Sequence, residues 1–165
     1  KRSEDHQEII IHLLKENGFD DSEISIGVLD YQYKEFRDED QNLVDQYYHL
    51  VGSISVETDQ VQLVPKARTS LNKLIARGLH IDNNAPTYRF TQLNQIKPDM
   101  LRQATMNARV AAEEFAKNAG VAVGGIRNAR QGNFSVRDAG EDYQDTRKIE
   151  KDVRVVTTIT FYLTG

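Results

Sequence analysis

The sequence predicts an α+β fold, a mainly antiparallel sheet with helices packed on one face, in the order αββαβαββ. Three observations carry this. Apolar residues recur at helical spacing in three segments, each ended by a glycine: Gly18, Gly78 and Gly120. Between them lie segments whose apolar residues alternate with period two. No segment repeats, and no tract of low complexity interrupts the pattern.

The first helix takes Ser3 as N-cap, with Glu4 and Asp5 in its first turn and Ile9, Ile10, Leu13 and Leu14 as its apolar stripe. Ile24, Ile26 and Val28 alternate as in a half-buried strand. Tyr31 and Tyr33 resume the alternation one residue out of phase, which predicts a bulge near Asp30. The acidic segment from Asp38 to Asp45 reads as a loop, and Tyr48, Leu50, Ile54 and Val56 form the returning strand around Gly52. Together these make a long hairpin. Thr58 is placed to cap a second helix, whose stripe is Val61, Val64, Leu71, Leu74 and Ile75, and Pro65 predicts a kink or a split first turn. Tyr88, Phe90 and Gln92 read as a short strand. Pro98 then opens the clearest helix, with Asp99 at its positive end. Its stripe, Leu101, Ala104, Ala108, Ala111, Phe115 and Ala119, is mostly alanine and fits close packing against the sheet or another subunit. A strand of about a dozen residues follows Gly124 and Gly125, interrupted by Gly132. After the turn-rich Asp138–Arg147, the last strand points Val153, Val155, Thr157, Ile159, Phe161 and Leu163 one way, and Arg154, Thr158, Thr160 and Tyr162 the other.

Composition narrows the chemistry. The 165 residues suit one globular domain able to bury a core. Without cysteine there are no disulfides, thiolate metal sites, cysteine nucleophiles or thiol redox steps. Twenty-one basic and 25 acidic residues give a net charge of −4, and no basic strand carries interleaved aromatics, so nucleic acid is not an expected partner. No apolar run approaches the roughly 20 residues of a membrane span. His6, His12, His49 and His80 lack metal-ligand spacing, and no G-x-S-x-G elbow is present. A triad gathered from distant segments is the remaining route to hydrolysis. The glycines at 120–125 follow a helix and precede a strand, the reverse of a phosphate loop. The acidic loops depart from the calcium-loop pattern. No catalytic residue, metal ligand or cofactor is therefore assigned.

Arginines supply the one candidate surface. Arg127, Arg137 and Arg154 fall on the polar face of the last two strands, where they can meet an anionic ligand or an acidic segment of a neighbouring subunit. Arg130 falls in phase with the apolar Ile126, Phe134 and Val136 unless Gly132 marks a bulge.

The stretch FTQLNQIKPDMLRQATMNARVAAEEFAKNAGVAVGGI, Phe90 to Ile126, resembles the SIMPL-domain family, described as periplasmic immunogenic or secreted proteins of unknown function. The ending KDVRVVTTITFYL and the upstream LLKENGFDDSEISI with its tyrosine-rich strand are similar to the family in the same order. The resemblance spans nearly the whole chain as a single domain, 1–165, and carries no catalytic residues. Members usually have an export signal and a strand ahead of the first helix, and this chain shows neither. Restoring that strand would give a ferredoxin-like split βαβ order. A sheet without it is expected to show a gap or a borrowed strand. The resemblance implies a periplasmic or surface location, a non-enzymatic envelope role in oxidative or envelope stress, an envelope protein partner and assembly into homo-oligomers.

Overall fold

A computed structural model describes residues 2–165, with side chains from Asp5 onward. The chain forms two compact units, Lys1–Ala85 and Pro86–Gly165. Each is a helix-backed, interrupted two-stranded ribbon, and the fold class is α+β with every strand pair antiparallel.

In the first unit, α1 spans Arg2–Glu16 and α2 spans Leu63–Ala76. Ser3 stands within α1 rather than ahead of it, and the side chains of Ser3 and Glu4 lie outside the described residues. Gly18, at φ +100°, turns the chain out of α1 in a conformation that only glycine adopts cheaply. Leu14, Phe19 and Ala67 then form a buried core, against which Ile10, Ile24, Ile54, Val56, Leu63 and Val64 pack. The last two isoleucine and valine positions of the returning strand thus face the helices, as their phase predicts.

The ribbon comprises β1 (Ile24–Ile26) with β4 (Ile54–Val56), and β2 (Asp30–Arg37) with β3 (Leu43–Val51). The expected phase shift falls at Gly27–Leu29, where the ladder is interrupted. A Cβ on Gly27 would displace the Ser53 hydroxyl and lie against the Ser53 backbone, so the glycine lets the two strands approach closely here without moving that side chain. The acidic loop is shorter than expected. Asp38 Oδ1 accepts from the amides of Asp40 and Asn42 at 3.0 and 2.8 Å, which closes the turn and starts β3 at Leu43. Thr58 does not cap α2. Its hydroxyl accepts from the Gln60 amide at 2.9 Å in a local turn, and α2 begins five residues later with Pro65 in its first turn, where a missing N–H costs nothing.

The second unit holds α3 (Leu93–Ala119) and the strands β5 (Ala122–Gln131), β6 (Ser135–Asp138), β7 (Lys151–Arg154) and β8 (Thr157–Thr164). Two expectations need correcting. Tyr88–Gln92 is not a strand; the Tyr88 amide donates to Thr146 O at 2.6 Å and Gln92 O accepts from the Gln95 amide at the helix start, but among the described residues no neighbouring strand extends the segment. The helix starts at Leu93, so Pro98 lies inside it rather than at its start. There the proline removes the amide that would bond to Asn94 O and presses its ring on that carbonyl, a cost that the long helix carries near its N-terminal end.

The alanine row is also displaced. Ala104 and Ala108 are half-buried, but Ala111 is exposed and Phe115 is 79% exposed. The covered row runs on through Ala112 to the buried Ala116, at strict i, i+4 steps. It packs on β5 and β8. Among the described residues the strands pair as β1–β4, β2–β3, β5–β8 and β6–β7, each a separate two-stranded ladder.

Candidate functional site

Alternation along the last two strands is unbroken. Residues 153, 155, 157, 159 and 161 are half-buried, while 152, 154, 156, 158, 160 and 162 are exposed. The inner side is closed by the alanine row and by Arg109, whose guanidinium donates to Gly124 O at 3.2 Å and lies 5.3 Å from the centre of the Phe161 ring. Lys97 lies similarly over Phe134, at 5.3 Å.

The outer face carries the arginines, but not the three expected. Arg137 opposes Asp152 and Arg154 opposes Ser135, so these two arginines are diagonal neighbours on one face. Arg130 opposes Thr158 on that same face. Gly132–Phe134 carries one residue more than the facing Val155–Val156, and the extra residue inverts the phase between β5 and β6. The Gly132 amide donates to Val156 O at 2.7 Å and anchors this bulge. Arg127 is instead the extra residue of a second irregularity, between Ile126 and Asn128, with no residue directly opposite. The outer basic row is therefore Arg130, Arg154 and Arg137, and Gly132 was the signal that selects Arg130.

The far end of this ribbon is fixed by a buried ion pair that the sequence reading missed. Asp138 is fully buried, and its Oδ1 accepts a hydrogen bond from Lys151 Nζ, itself nearly buried. Asp138 Oδ2 accepts from the Arg147 amide at 2.9 Å, and Lys151 also donates to Asp145 O at 2.9 Å. Burial pushes the Asp138 carboxyl up. The Lys151 ammonium and the amides of Arg147 and Lys148 outweigh it and hold the carboxyl below its ordinary value. The signal was the hairpin register itself. Once Val136 pairs with Val153, Asp138 and Lys151 must face each other. This pair ties the turn-rich segment to β6 and β7. Beside it lies a shallow depression of about 450 Å³ lined by Tyr88, Ala139, Arg147, Lys148, Ile149 and Glu150.

In the first unit the exposed feature is the β2–β3 ribbon. Every residue of both strands is exposed, on both faces. Register places Tyr31 opposite Leu50 and Tyr33 opposite Tyr48, so one face is aromatic; Tyr31 is 74% and Tyr48 70% exposed. The Tyr33 and Tyr48 rings lie 5.2 Å apart. Phe36 stacks on Tyr47 across the other face at 5.8 Å. Polar pairing organises the aromatic face. The Tyr33 hydroxyl lies 2.7 Å from Glu35 Oε1 and 2.8 Å from Gln46 Oε1. Arg37 donates to Glu35 Oε2 and to Gln41 O, which fixes the tip. The Tyr33 and Arg37 hydrogen bonds hold the Glu35 carboxyl below its ordinary value, and the bond to Glu35 raises that of the Tyr33 hydroxyl. The sequence showed the tyrosine alternation, but it reads as a strand with one covered face. Nothing in the pattern says that both faces are open.

A second depression, of about 440 Å³, is lined by Asp20, Ser22, Glu23, Glu57, Thr58, Asp59 and Gln60. Among the described residues, no helix is long and apolar enough to cross a membrane.

Each of the two α+β units carries its distinctive groups on a surface, an open aromatic hairpin in the first and an outer arginine row in the second. A family model for SIMPL, proteins of unknown function (DUF541), matches residues 2–161, and the chain belongs to that family. No curated protein matches the chain.

Proposed function

We propose that this is a non-enzymatic domain of the cell envelope, periplasmic or at the cell surface, that acts by docking proteins in an oligomer or with an envelope partner. Its setting is the response to oxidative or envelope stress that the family resemblance implies. The observation that carries the docking is the β2–β3 ribbon. An isolated two-stranded ribbon is marginally stable in water. This one also leaves Tyr31, Tyr33, Phe36, Tyr47 and Tyr48 exposed. Large exposed apolar patches mark interaction sites, and tyrosine is enriched at the centres of protein interfaces. The test is sedimentation of the native protein from envelope extracts beside a Tyr31→Ser, Tyr33→Ser, Tyr48→Ser variant. The parent is expected in an assembly well above its 18.8 kDa and the variant as free chain. Equal sedimentation of both would overturn the docking reading.

A second reading has its own observation. Arg137 and Arg154, diagonal on one ladder with Arg130 on the same face, present guanidinium donors suited to a carboxylate or phosphate. In that reading the outer row binds an anionic small ligand. Titration with inorganic phosphate followed by NMR would then shift the Arg130, Arg137 and Arg154 resonances together.

A further inference from the structure

We infer that the occupant of the aromatic ribbon is a second copy of this chain, its outer arginine row lying over the first copy's tyrosines. This rests on the docking reading and names the partner. Charge points to it. Residues 30–51 hold six acidic and two basic residues, a net −4, on an arm that is exposed throughout. The ribbon strands of the second unit, residues 122–138 and 151–164, hold five basic and two acidic residues, a net +3. Opposed surfaces of this kind steer association and suppress wrong partners.

The side-chain chemistry matches as well as the charge. Guanidinium groups bind well over aromatic faces, and Arg109 already does so over Phe161 at 5.3 Å. Tyr31 and Tyr48 offer open rings. Arg130 and Arg154 are exposed and take no carboxylate partner among the described residues. Lengths agree too. From Asp30 to Arg37 β2 extends roughly 23 Å, and the span from Asp152 to Thr158, which bears the arginine row, roughly 20 Å at about 3.3 Å per residue.

The contact joins two different surfaces. It is therefore heterologous and propagates into a ring or a filament rather than stopping at an isologous pair. This makes a complementation experiment decisive. One variant, Tyr31→Ser with Tyr48→Ser, lacks the arm surface. Another, Arg130→Glu with Arg154→Glu, lacks the arginine row. Light scattering at about 100 μM and low salt is expected to show the parent well above 18.8 kDa and each variant alone at 18.8 kDa. Their equimolar mixture should form a two-chain species and nothing larger, because only one good contact remains. High salt should dissolve it. Should the serine variant lose its hairpin by circular dichroism, Tyr31→Lys with Tyr48→Lys takes its place, keeping long side chains while repelling the arginines. A parent at 18.8 kDa, a variant that self-associates like the parent, or a mixture that stays single-chain overturns the inference. A single-chain parent whose tyrosine variant still leaves the envelope assembly removes self-docking alone. Loss of both results removes the docking reading with it.

Discussion

Burial alone would raise the Asp138 carboxyl, and its partners more than reverse that effect. Removing Lys151 leaves a carboxylate shut away from water without its counter-charge, which is far more costly than never having placed a pair there. Lys151→Met is therefore expected to lower the melting temperature markedly. Adding Asp138→Asn to it should recover part of the loss, and scanning calorimetry would show this. Equal melting of Lys151→Met and parent would mean the pair contributes nothing. The depressed carboxyls also set the pH response. Asp138 sits below its ordinary 3.8, and Glu23 and Glu35 sit below 4.5, Glu23 through hydrogen bonds from Thr58, the Asp20 amide and Gln60. A group with a lowered folded pKa adds stability that is present above its unfolded value and vanishes as pH falls through the folded one. Stability should therefore be steady down to about pH 4.5 and fall below it. A melting temperature that rises on acidification would contradict this. Tyr33, raised above 10, works in the opposite sense, and its contribution is lost as pH climbs through its folded value.

At the scale of elements, the sequence shows kinds and sequence order well and phase poorly. The glycine stops, the interrupted ribbons and the alternation of 152–162 were all legible, because each follows from backbone geometry or a period of two. Three things were not. The strand at Tyr88–Gln92 has the right alternation but finds no neighbouring strand, and pairing is non-local. The alanine row of α3 offers two overlapping sets, and the ribbon beneath it selects Ala112 and Ala116 over Ala111 and Phe115. Arg130 falls on the apolar side by strict phase and on the polar face if Gly132 marks a bulge; the extra residue at Gly132–Phe134 decides for the polar face by inverting the phase before it. Two predictions belong here. Ala116→Leu inserts a large side chain where the parent residue is 3% exposed, and should cost about 1–3 kcal/mol in denaturant unfolding, whereas Phe115→Ser should change stability by less than about 0.5 kcal/mol. Similar losses for both would mean that α3 packs through the other set. The β2–β3 ribbon, exposed on both faces, should exchange its amides faster in the dilute chain than β5–β8, which α3 covers. Equal protection would mean the ribbon is already covered within one molecule.

The whole molecule places its distinctive chemistry outside its cores. Its buried apolar residues, Leu14, Phe19, Ala67 and Ala116, are few beside the exposed aromatics of one ribbon and the arginines of the other. Exposed apolar patches of this kind mark interaction sites, and this is the ground for the docking reading proposed above. The most direct measurement is photocrosslinking in the native cell from a benzophenone side chain replacing Tyr48, with Glu114, exposed on α3, as the control position. The account predicts a discrete protein adduct from position 48 and none from position 114. No adduct from position 48, or the same adducts from both positions, would contradict it.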